Sequence, residues 1–136
     1  MSIPTIYTDV INGLLKKSLS KEVIWDVTTD ANIFVVYFEN SSFSLHRHSN
    51  YNDSWFSVDI IDNKGDKIDG FVVSSEDDGD EWNTMDELFS IARRSALSID
   101  NTIQGMLNEL NKKGTIGQKR EKDNNNDTGF RDDIPF

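Results

Sequence analysis

His46 and His48 stand two residues apart in the alternating stretch Ser42-Phe43-Ser44-Leu45-His46-Arg47-His48. On a strand that spacing sends both imidazoles to one face. Two imidazoles on one face can hold a metal ion when a third ligand joins them. Tyr51 and Asp53 are near in sequence, but neither stands at a diagnostic spacing. The competing reading is two exposed histidines either side of Arg47. The acidic run Glu76-Asp77-Asp78-Gly79-Asp80-Glu81 lacks the ligand alternation and distal Glu of a calcium loop, and reads as a solvated loop. No phosphate-binding glycine loop, nucleophile elbow or paired-carboxylate signature occurs. No catalytic residues, metal site or cofactor are therefore expected, and the chain reads as a non-enzyme.

The last seven residues, Phe130-Arg131-Asp132-Asp133-Ile134-Pro135-Phe136, carry a different chemistry. Pro135 fixes its own φ and biases Ile134 towards an extended conformation, which lowers the entropy lost on docking. Phe136 offers a ring for an apolar pocket, and a free carboxylate on it can meet an arginine beside that pocket. Asp132 and Asp133 suit a basic rim. This stretch resembles the C-terminal tip of bacterial single-stranded-DNA-binding proteins. The matching residues are Asp132, Asp133, Ile134, Pro135 and Phe136, with Phe130 in register. Isoleucine before the proline looks like the gammaproteobacterial form. Arg131 departs from the pattern, which has an acidic residue there. The resemblance covers seven of 136 residues. It implies partners among genome-maintenance enzymes: exonucleases, helicases, primosome and clamp-loader components, and recombination mediators. It implies nothing about the core, since that family's core is a five-stranded barrel that begins with a strand.

The elements that would carry these residues follow from periodicity. Ile6, Val10, Ile11, Leu14 and Leu15 recur at helical spacing, which predicts a helix over roughly 6–18 with Thr8 or Asp9 near its cap. The period then falls to two. Strands are expected at 23–27, at 33–38 as a run buried on both faces, at 42–48, at 55–60, and at 68–74 after the turn Asn63-Lys64-Gly65-Asp66. Thr84 with Glu87 fits a capping box. Met85, Leu88, Phe89, Ala92, Ala96, Ile99, Ile103, Met106, Leu107 and Leu110 form an apolar stripe over one long helix or two, with a break expected near Ser98 and Asp100. Short connections favour antiparallel neighbours. The fold class is α+β: a five-stranded antiparallel sheet with an N-terminal helix and one or two C-terminal helices on one face. Residues 1–113 are expected to form the folded core. Residues 114–129 are polar, with Ile116 their only large apolar side chain, and are expected to be a flexible linker to the docking tip at 130–136.

Charge narrows the function classes. The net charge is −10. Residues 1–113 hold 10 basic against 19 acidic residues, or −9, and the remainder 4 against 5, or −1. An acidic core repels phosphate backbones. Trp25, Tyr37, Phe43, Tyr51, Trp55 and Trp82 could stack bases if they line an exposed sheet face, so a divergent single-strand binder is the alternative reading. An acidic DNA mimic that blocks a nuclease or repair enzyme is the third. The absence of cysteine excludes disulfide and thiolate chemistry. No apolar run of spanning length occurs, and the first residues lack a basic region before an apolar stretch, so a cytoplasmic protein is expected, with no membrane partner. The leading expectation is an interaction protein that recruits, or competes for, replication, repair and recombination enzymes. A phage or mobile-element source fits a borrowed peptide of this kind.

Overall fold

The computed structural model describes residues 3–76 and 79–119. Eight elements follow in the order α1 (Thr5–Leu19), β1 (Asp26–Val27), β2 (Ile33–Tyr37), β3 (Ser41–Ser49), β4 (Ser54–Asp62), β5 (Lys67–Ser74), α2 (Gly79–Ala96) and α3 (Ile99–Leu110). The α+β class with a five-stranded antiparallel sheet is therefore as the periodicity implies. The chain divides into two compact units, Met1–Ile103 and Gln104–Phe136, with the division falling inside α3.

The sheet is a simple meander, β1-β2-β3-β4-β5, every pair antiparallel. Local side chains fix its turns. Asn50 Oδ1 accepts from the amides of Asn52 and Asp53 between β3 and β4. Asp62 Oδ1 accepts from Lys64 and Asp66 between β4 and β5, where Gly65 takes φ 90°. These are Asx turns, in which a short carboxylate or amide replaces a backbone acceptor. The tight turns set a register that alternates side chains between faces.

One face holds the core. Across the sheet, Phe34, Leu45, Val58 and Phe71 lie in one row, and Val36, Phe43 and Ile60 in the next. Ile11 and Leu14 of α1, and Met85, Leu88, Phe89 and Ala92 of α2, close over these rows. Each large apolar side chain so buried is worth about 1.5–3 kcal/mol in transfer from water. Trp25 is buried in the same core, and its indole N–H donates to Ser18 Oγ at 2.9 Å, so neither polar group is stranded. The Tyr7 hydroxyl donates to Asp69 and ties α1 to β5.

Four details differ from expectation. The 23–27 strand shrinks to Asp26–Val27. Helix α1 starts at Thr5 after Pro4, so Thr8 and Asp9 lie inside it rather than at its cap. Helix α2 starts at Gly79, so Thr84 is interior: its hydroxyl donates to the Asp80 carbonyl one turn back. Asp80 and Glu81 thus belong to the first helical turn, where carboxylates suit the helix dipole, rather than to a loop. Finally, the apolar stripe is buried only as far as Ala92. The expected break is present, since Ser98 adopts φ 53° and α3 begins at Ile99. Beyond it Ile103, Met106, Leu107 and Leu110 are exposed, and α3 buries no residue. Residues 114–119 form neither helix nor strand.

Candidate functional site

Phe130, Asp132, Asp133, Ile134, Pro135 and Phe136 lie outside the described residues, as does the linker from 120 onward. What the structure arranges is the sheet face opposite the core. Its register brings Ile33, His46, Ser57 and Val72 into one cross-strand row, and His48, Trp55 and Ser74 into the next. Ser42, Ser44, Asp59 and Ile61 belong to the same face.

His46 and His48 do share a face, as their spacing requires. Their ring centroids are 3.7 Å apart, and His48 stacks on Trp55 at 5.0 Å with the rings 6° from parallel. His48 Nε2 lies 2.8 Å from Ser57 Oγ, diagonally across the ladder. Burial against these neighbours holds His48 below the ordinary histidine value, and His46 adds to the lowering; Asp59 and Asp30 pull weakly the other way. A neutral imidazole against a hydroxyl is the first half of a nucleophile–base pair. The second half is a group that orients the other ring nitrogen, with free donors for a developing oxyanion. The strand amides at this point are spent in the ladder. Among the described residues no group of three or more His, Cys, Asp or Glu side chains could hold a metal ion. His46, His48 and Trp55 thus form a packed column of rings on the sheet face opposite the core, with Ser57 beside His48.

Ser57 could not be singled out from sequence. Nothing local marks it, and only the β3–β4 register places it against His48.

The six aromatic candidates for base stacking separate. Trp25 and Phe43 are core, packed edge to face at 6.2 Å. Trp82 is half-buried against Phe56, again on the core side. Trp55 and Tyr37 share the open face but sit at opposite ends of it. Their partners on β3 are His48 and Ser42, six residues apart, or about 20 Å along a strand. Tyr51 is 95% exposed in the β3–β4 turn. They do not form a continuous stacking platform.

Electrostatics point the same way. The open face carries Asp26 and Asp59, and its lysine, Lys67, pairs with Asp59 at 3.1 Å. Arg47 faces the other side, where it meets Asp86 at 3.2 Å and lies over the Phe56 ring at 5.5 Å. A cavity of about 500 Å³ at the Tyr37 end is lined by hydroxyls and by Glu39 and Asp62. A second, of about 320 Å³ beside the end of α1, includes Lys21 and Arg94, but Arg94 is already paired with Asp100. Neither gathers unpaired basic side chains for a phosphate. No helix among the described residues is long and apolar enough to cross a membrane.

No family model, curated protein or solved structure matches the chain.

Proposed function

We propose that this chain is a non-enzymatic interaction protein that docks on enzymes of DNA replication, repair or recombination through residues 130–136. The single observation that carries the reading is the peptide Asp132-Asp133-Ile134-Pro135-Phe136, with Phe130 in register, following a polar stretch. Each part has a physical role. The proline preorganises, the phenylalanine anchors, and the two carboxylates meet a basic rim. Such a peptide can recruit the enzyme or compete for it with the single-stranded-DNA-binding protein. The pairing of Arg47 with Asp86 and of Lys67 with Asp59 supports a core that presents the peptide rather than one that grips DNA.

The test is competition. A labelled tip peptide is bound to exonuclease I or to a RecQ-type helicase and followed by fluorescence anisotropy. Peptides of this size bind at about micromolar level, roughly −8 kcal/mol. The full chain should displace the label, and a chain lacking Phe136 should not. Equal displacement by both ends the reading. A pulldown from bacterial lysate with the same two chains, compared by mass spectrometry, would then identify which enzyme is captured.

A further inference from the structure

Among the described residues two polar side chains are buried, Ser18 and Ser42. Ser18 Oγ accepts the indole N–H of Trp25. Ser42 is only 9% exposed, yet its hydroxyl bonds no other described residue. A buried hydroxyl without a partner costs stability, so such groups are rare. The β2–β3 and β3–β4 registers set Ser42 between Tyr37 and Ile61, on the sheet face opposite the core. All three line the cavity of about 500 Å³ at that end of the sheet. Its size lies within the range of about 300–1,000 Å³ usual for small-molecule sites.

We propose that this cavity binds a neutral sugar ring of the aldohexose class, with Ser42 as the hydroxyl that receives it. The site goes beyond the docking peptide at 130–136 and stands without it. Its lining decides the chemistry. Tyr37, Ser41 and Ser44 add hydroxyls to that of Ser42, and each donates and accepts as a sugar hydroxyl does. Asp62 adds an acceptor: its Oδ1 holds the turn amides of Lys64 and Asp66, and its Oδ2 has no partner among the described residues. Tyr37 is 68% exposed and offers its ring to the C–H face of a pyranose, beside the buried Val35. None of the described residues lining the cavity is lysine or arginine, and Glu39 and Asp62 are acidic, so a phosphate, sulfate or carboxylate is repelled. An ammonium only donates, so it would use the carboxylates and leave the donor half of four hydroxyls unmatched.

Affinity is limited by what such a ligand can gain. A hexose has about a dozen heavy atoms and no charge to hold, so a dissociation constant of about 1 mM is expected. Ser42→Ala separates a hydroxyl kept for a ligand from one that serves the fold. In the first case the substitution deletes an unpaired buried group, and the melting midpoint in buffer alone stays level or rises. In the second it breaks a bond, and the midpoint falls.

The test follows amide shifts of the full, isotope-labelled chain by NMR as D-glucose, D-galactose or D-mannose is added to about 50 mM, well above that constant. Putrescine and inorganic phosphate at the same concentration are the charged probes. At least one sugar should give saturable shifts confined to residues 35–44 and 61–65, and neither charged probe should. Ser42→Ala should weaken that sugar by about fivefold or more without lowering the melting midpoint. Tyr37→Thr keeps a strand former at an exposed position and should weaken it by a similar factor. Four outcomes overturn the proposal. None of the three sugars gives a saturable, localised shift, which leaves Ser42 to water. Putrescine or phosphate saturates the same residues, which makes the cavity a site for charge. Ser42→Ala binds the sugar as the parent does. Or Ser42→Ala melts lower, which means that its hydroxyl serves the fold.

Discussion

His48 is a titratable base whose neutral form is favoured by its place in the fold. Burial and the adjacent His46 ring hold it below the ordinary value of 6.5. The sign of the resulting pH dependence follows. Unfolded chain, with His48 near 6.5, takes up the proton before folded chain does, so stability rises with pH wherever that difference persists. The contribution is present above about 6.5 and is lost as pH falls from there towards the lowered folded value. Urea titrations at pH 7.5 and pH 5.5 should show the parent losing stability over that interval. His48→Gln, which can still bond Ser57 but cannot titrate, should lose less. An equal loss in both would place the titration elsewhere. Gly70 makes a second test at this scale. It sits beside the irregularity in β4 near Ile60 and Ile61, and a Cβ built on it would lie 2.4 Å from the Val58 carbonyl oxygen. That obstacle is backbone, so the strand itself must shift. Gly70→Ala should cost about 2 kcal/mol or more in a denaturant melt, where an unhindered strand glycine would tolerate alanine. The histidine pair was legible from its spacing of two, whereas Ser57 and the constraint on Gly70 exist only through pairing across strands.

At the scale of elements, the strands were legible because alternation, apolar runs and turn residues agreed at each position. Phe56, Val58 and Ile60 alternate, Asn63 to Asp66 turn, and the register follows. The helix ends were less legible. Thr84 and Glu87 have the spacing of a capping box, but spacing is blind to where the helix has already begun. Gly79-Asp80-Glu81 starts it five residues earlier, and the same hydroxyl becomes an i−4 bond to the Asp80 carbonyl. The two arrangements predict different energetics. A capping threonine costs about 1 kcal/mol when replaced by alanine. An interior one bonded to i−4 costs little, because alanine is the better helix former and the backbone keeps its partner. Thr84→Ala should therefore change the thermal midpoint by no more than a degree or two, in either direction. A loss equivalent to a full cap would return the helix start to Thr84. The α3 stripe misled in the opposite sense. Periodicity says which side chains share a face and cannot say what covers that face, so Met85 to Ala92 and Ile103 to Leu110 look alike in sequence and differ in burial.

At the scale of the molecule, the net charge of residues 1–113 is the property read most directly from sequence, yet a total does not say where the basic residues stand. Ten of them in a −9 core could still have made one basic face. Four of the ten stand against carboxylates. Lys17 lies 4.0 Å from Glu22, Arg47 meets Asp86, Lys67 meets Asp59 and Arg94 meets Asp100. These pairs are exposed and contribute little stability, about 0–1 kcal/mol each. Their consequence is for binding: these four cations already face a carboxylate before a phosphate arrives. Binding of single strands needs a groove of unpaired cations alternating with stacking rings, and each phosphate neutralised adds about 0.7 to the slope of log affinity against log salt. Trp55 and Tyr37 lie about 20 Å apart on a face whose lysine is already paired. A labelled oligonucleotide should therefore show no more than millimolar-level affinity for the full chain near physiological salt, weaker than ordinary non-specific binding. Removing residues 114–136, which carry four basic side chains, should not strengthen it beyond that level. Micromolar binding with a salt slope of several phosphates would show that the core grips DNA. The peptide at 130–136 would then be a second function beside DNA binding rather than the one the core exists to present.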